Sequence, residues 1–173
     1  MLNSMRKLLD NLYMGSGVLA ALFLVTILSL IVLQMIARWT GEVFPGAPSY
    51  VGYAMAAASF FAFAHALNRG AHIRVSILLN AVGSRMRRIL EVWCFGVGSA
   101  LAWYFAYHAA TFTYWSWKFN DISQGQDASP IWIPQTAMVI GSIIFAISLT
   151  DHLLHVIFTG DHRIDTETVD QGE

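Results

Sequence analysis

Charge is what this chain has least of. Only 12% of its 173 residues are Asp, Glu, Lys or Arg, whereas a soluble domain carries about a quarter. With 56% hydrophobic residues and a mean hydropathy of +0.54, the deficit excludes an ordinary soluble domain and points to a membrane protein. Cysteine is nearly absent too. A single thiol, Cys94, cannot close an internal disulfide, and its apolar setting reads as that of a small buried residue. The first long apolar run contains no carboxylate, which argues against a small multidrug exporter. Nucleophile–base sets, metal-spaced Cys/His clusters and phosphate loops are missing; "GSG" at 15–17 lacks the strand, spacing and Lys of a P-loop.

What the chain does have is four apolar segments long enough to cross a bilayer, which needs about 20 residues. They cover about 12–37, 50–67, 89–117 and 132–158. The expected fold is therefore all-α: one four-helix transmembrane domain over 1–158, followed by an acidic tail, 159–173, expected to be disordered. Arg6 and Lys7 precede the first run as in a signal peptide. That run is too long for an h-region and lacks a small-x-small cleavage site, so it reads as a retained signal-anchor helix.

The basic residues orient the bundle. Arg6 and Lys7 lie in the N-terminal tail, five Arg between the second and third spans, and Arg163 in the C-terminal tail. Arg38 and Lys118 alone mark the opposite face. By the positive-inside rule both termini are cytoplasmic. The opposite face is aromatic: "TYWSWKF" closes the third span and "SPIWIP" opens the fourth. Trp115, Trp117 and Trp132 are expected to anchor the periplasmic interface, with Ser129 as N-cap of the fourth helix and Pro130 in its first turn.

Helices in lipid associate where small residues let backbones approach. Ala54, Ala58 and Ala62 recur at i, i+4 in the second span, and Gly98, Ala102 and Ala106 in the third. The fourth adds Gly141. These are the candidate packing residues, within the bundle or against a second membrane protein. Glu91 has Arg87 and Arg88 at pairing distance along a helix. His65, His152 and His155 share a depth, so a different reading is a haem-carrying anchor of an electron-transfer complex, with histidines on facing helices as axial ligands.

The connection "HIRVSILLNAVGSRMRR" alternates apolar residues with Arg near helical spacing. It is too short and too charged to span, and suits an amphipathic helix in the cytoplasmic interface, its Arg reaching lipid phosphates. Flanked by membrane spans, these Arg do not indicate nucleic acid.

The run "FFAFAHALNRGAHIRVSILL" carries a Gly-x-His-Ile-Arg-Val segment, Gly70 to Val75, and a later run reads "FNDISQGQDASPIWIPQTAMVIGSIIFAI". With four spans, these resemble the small membrane (Q-type) subunit of TRAP (tripartite ATP-independent periplasmic) transporters, over roughly residues 8–158. One element departs: "PGAPSYVGYAMAA" lacks the acidic residue that many such subunits carry at the start of the second span. The resemblance implies a non-enzymatic permease subunit of a bacterial inner membrane. It would support ion-coupled uptake of an organic acid by a large permease subunit fed by a periplasmic binding protein. No cofactor is implied here; sodium coupling would belong to the large subunit. Arg69, Gly70, His72 and Arg74 become candidate contacts to that subunit or to membrane lipids.

Overall fold

In the computed structural model, the described residues are 2–42, 44–69 and 84–159. They form four α-helices: α1 (Leu2–Thr40), α2 (Ala47–Asn68), α3 (Ser84–Lys118) and α4 (Trp132–Thr159). All four are long and apolar enough to cross a membrane. The described residues contain no strand, only an isolated antiparallel bridge between Ile122 and Pro130.

The helices run up and down. Gly17 of α1 lies against His65 of α2, and Gly98 of α3 against Leu149 of α4. α2 and α4 form the central pair, with α1 packed on α2 and α3 packed on α4. Tyr13, Ala20, Ala57, Phe61, Ala64 and Ile144 make one buried cluster, shared by α1, α2 and α4. Leu67, Ala102, Ala146 and Leu149 make a second, shared by α2, α3 and α4. Phe23 stacks on Phe61 at 6.0 Å in the first.

Helix starts and one expected cap differ from the sequence reading, each for a local reason. α1 begins ten residues before the apolar run, because a polar flank continues a helix once the span has nucleated it. α2 begins at Ala47, not residue 50. Gly46 takes the left-handed conformation (φ 82°) as its N-cap, and Pro48 fits the first turn, where a missing N–H costs nothing. α4 begins at Trp132, beyond the expected Ser129 cap. The Ser129 hydroxyl is instead hydrogen-bonded to the Asp127 carboxylate, a charged acceptor. The interfacial helix expected after α2 falls mainly on residues 70–83, outside the described residues; from Ser84 the chain is already α3.

Candidate packing and partner surfaces

The buried face of α2 is set by helix geometry rather than by the strict i+4 alanine row. Ala54, Ala57, Ala58, Phe61, Ala64 and Leu67 are buried, while Ala62 is half-buried against the first cluster. An i+4 row turns about 40° around a helix axis at each step, so it leaves a straight contact within two turns; a 3–4 alternation stays on it. α3 follows the same rule. Glu91, Ser99, Ala102, Ala106, Ala109 and Ser116 are buried, a heptad-like seam facing α4, with Gly98 half-buried beside it.

The α2 and α4 backbones approach closely at Gly141. A Cβ there would sit 2.7 Å from the Phe60 Cβ, 2.8 Å from its carbonyl carbon and 2.9 Å from its oxygen. Only hydrogen fits between the α4 and α2 backbones at this crossing. Around it, Phe60 stacks on Phe105 of α3 at 5.8 Å. A groove of about 450 Å³ opens beside them, floored by Ser142, Phe145 and Leu149 of α4.

α3 and α4 are also joined by polar groups. The Thr150 hydroxyl donates to its own helix at Ala146 O, 2.8 Å away. Its single hydrogen is thereby used, so it accepts from both Trp103 Nε1 at 3.1 Å and Ser99 Oγ at 2.9 Å. At the end of the bundle where α3 begins and α4 finishes, Arg88 of α3 donates to Ile157 O of α4 at 2.6 Å. It satisfies one carbonyl that the end of a helix leaves open. Glu91 is buried below it.

At the opposite end the two loops are latched together. Tyr53 of α2 donates from its hydroxyl toward Asp127 Oδ2 at 3.0 Å and lies 2.8 Å from Ser123 Oγ. Ser123 Oγ bonds Asp127 Oδ1 at 3.0 Å, and Ser129 bonds the same carboxylate. These bonds, that from Ser129 foremost, outweigh partial burial and hold the Asp127 carboxyl far below the usual carboxylate range. The backbones fit as closely: a Cβ on Gly46 would lie 2.9 Å from the Asp127 Cβ and 3.0 Å from its Cα.

Trp115, Trp117 and Trp132 all lie at this latched end. Trp115 and Trp117 are exposed and Trp132 is half-buried. Trp115 stacks on Phe119 at 5.5 Å, with the Lys118 ammonium 4.8 Å from the Trp115 ring centre. Trp117 and Trp132 share a surface hollow with Tyr114.

At the other end Arg69 is exposed, and its N–H closes α2 on His65 O at 3.1 Å. Gly70, His72 and Arg74 lie outside the described residues. Cys94 corrects its expectation: it is exposed on α3. In lipid an apolar side chain gains nothing by turning inward, so an apolar setting does not imply burial in protein.

His65 and His152 do not converge. His65 is turned to α1, its ring 2.7 Å from where a Cβ on Gly17 would be. His152 on α4 donates from Nδ1 to Ser148 O at 3.0 Å, and its ring lies 5.8 Å from that of Phe95 on α3. Two axial ligands would have to point into one shared space; these rings have different neighbours. His155 is half-buried on α4. Among the described residues no group of three or more His, Cys, Asp or Glu is placed to hold a metal ion.

The Thr150 junction and the Asp127 latch escaped the sequence reading. Each joins residues about 50 or more apart, and neither has a local spacing signature. Trp103, a large donor inside a span that must find a partner, was the one available hint.

The polar groups of this molecule hold helices and loops to one another, which defines a multi-pass helical membrane protein built as one packed block. A family model described as "Tripartite ATP-independent periplasmic transporters, DctQ component" matches residues 27–159, and the chain belongs to that family. It is a family of transporter components, not of enzymes. No curated protein matches the chain.

Proposed function

We propose that this chain is the static small permease subunit of a bacterial inner-membrane TRAP transporter. It would support ion-coupled uptake of an organic acid by a large membrane subunit, with a periplasmic binding protein delivering the substrate. Both termini are read as cytoplasmic, which puts the Asp127 latch and the tryptophans on the periplasmic side.

The observation that carries this reading is how the four helices are locked, taken together with the family match. The block is tied at three depths: by the Gly46–Asp127 latch, at the Gly141–Phe60 crossing, and by Arg88 on the end of α4. A translocating domain needs mobile or interrupted helices around a midplane site. A block fastened at both ends and in the middle suits the opposite task, a fixed support against which another subunit moves. The aromatic and basic anchors at its ends resist displacement along the membrane normal.

The test is co-purification and uptake. Tagged small subunit, expressed with its neighbouring permease and binding-protein genes, is expected to bring down a larger membrane protein. Deleting it should abolish binding-protein-dependent uptake, and re-expression should restore it. Full uptake in the deletion strain would refute the role.

A further inference from the structure

α3 has two seams. The inner one packs on α4. The second lies on the opposite face, where Trp93, Val97, Ala100, Tyr104, His108 and Thr111 recur at 3–4 spacing and are open or half-open to the outside. Trp115 and Lys118 continue the row to the latched end. Heptad-like spacing on a face turned away from the other described helices is the pattern of a helix waiting for a neighbour.

The chemistry of this seam separates it from a lipid-facing surface. The span from Arg88 to Lys118 has 31 residues, about 46 Å at 1.5 Å each. Tyr104, Tyr107 and His108 therefore fall inside a hydrocarbon core of about 30 Å. Tyr104 is 65% and Tyr107 69% exposed. The Thr111 hydroxyl is satisfied by Tyr107 O at 2.9 Å, and Trp103 on the flank by Thr150. The two phenol hydroxyls and the His108 nitrogens make no hydrogen bond to the described residues. The His108 ring lies against two aromatic rings, Tyr104 at 4.3 Å and Tyr107 at 5.4 Å. Three polar side chains left to hydrocarbon are costly. The exposed face of α1 offers the contrast. Leu22, Val25, Leu28 and Val32 cover it, and its Thr26 and Ser29 bond back to their own helix.

We propose that the outer seam of α3 docks a membrane-spanning helix of the transporter's other membrane subunit, one presenting hydrogen-bonding groups at the depth of Tyr104 and His108. This rests on the subunit role proposed above. A second copy of this chain is a poorer occupant. Two copies of one topology meet in parallel, which sets Lys118 against Lys118 and His108 against His108. An unlike helix is free of this meeting of like charges.

The test uses the whole transporter in cells. A benzophenone amino acid replaces Tyr107 at the edge of the seam or, as comparison, Leu28 on α1. Irradiation is expected to join the Tyr107 position, and not Leu28, to the other membrane subunit. An adduct of two small subunits, or of lipid alone, would overturn the proposal. So would a cross-link to the other subunit from Leu28 and not Tyr107. In parallel, Tyr104→Phe, Tyr107→Phe and His108→Leu together should lower recovery of the other subunit about tenfold, the effect of losing two or three hydrogen bonds between membrane helices. The same variant should unfold no more easily by itself, since no hydrogen bond within the described chain is lost. Unchanged recovery would also overturn the seam. If the unaltered chain brings down no other membrane subunit, the subunit role itself fails.

Discussion

Adding a single methyl group at Gly141 tests the packing argument most directly. A Cβ at this position would lie 2.7–2.9 Å from the Cβ, carbonyl carbon and carbonyl oxygen of Phe60. Unstrained contacts between such atoms lie near 3.5–4.0 Å, so α2 and α4 must part by about 1 Å. Two of the three atoms are backbone, which no rotamer change can move aside. Overpacking of this kind costs about 1–3 kcal/mol. Ala is the better helix former by about 1 kcal/mol, which offsets part of that. The net expectation for Gly141→Ala is a loss of up to about 2 kcal/mol. Gly98→Ala is the matched control. Its Cβ would meet Leu149 methyl carbons at 3.8 and 3.9 Å, ordinary contact. That variant should be neutral or slightly more stable. Both are measured by reversible unfolding of the purified subunit in mixed micelles. If Gly141→Ala is as stable as Gly98→Ala, the α2–α4 crossing is not as close as described, and the reasoning fails.

Three further outcomes follow from the same geometry. Gly46→Ala combines a left-handed backbone with a clash on Asp127, and should cost about 1–3 kcal/mol and speed protease cleavage of the α3–α4 loop; unchanged cleavage would count against the latch. Thr150→Val removes two interhelical hydrogen bonds and should cost about 1 kcal/mol at the usual value for membrane helices, whereas Thr136→Val, whose hydroxyl bonds only its own helix at Ile133 O, should change stability little in the same unfolding assay. Asp127 gives a pH dependence with a definite sign. A carboxyl held low in the folded state adds stability above its unfolded value of about 3.9 and loses it only as pH falls through the lower folded value. The latch should therefore resist protease unchanged from pH 7 to pH 5. Tyr53→Phe removes one of the bonds that favour the ionised form, so Asp127 should titrate at higher pH by NMR; no movement would show that Tyr53 is not part of the latch.

How far the sequence revealed this molecule depended on the range of the interaction. The four spans are a one-dimensional property, summed hydropathy over about 20 residues, and each expected run lies within a helix. The start of α2 was obscured because Gly46 and Pro48 read as loop residues, although a left-handed cap and a first-turn Pro begin a helix. The alanine rows draw attention to small residues, but the contact face follows 3–4 spacing, which brings in Ala57, Ala64 and Ala109. Helical spacing placed Arg88 near Glu91, but gave no sign that Arg88 also reaches the end of another helix at Ile157 O. The Ser129 cap was displaced by a carboxylate two residues away, a competition that propensity alone does not weigh. The Thr150 and Asp127 networks depend on the register between helices, which no single segment encodes.

The Asp127 latch has a consequence for how the protein is made. Tyr53 belongs to the first hairpin to enter the membrane, and Ser123 and Asp127, 70 and 74 residues later, to the loop that joins the second. The carboxylate therefore cannot find Tyr53 until the chain has been made through α3. Ser129 and the Ile122–Pro130 bridge finish the loop only as α4 enters. The latch can thus be complete only once all three earlier helices have been made, a late-formed tie between the first loop and the third.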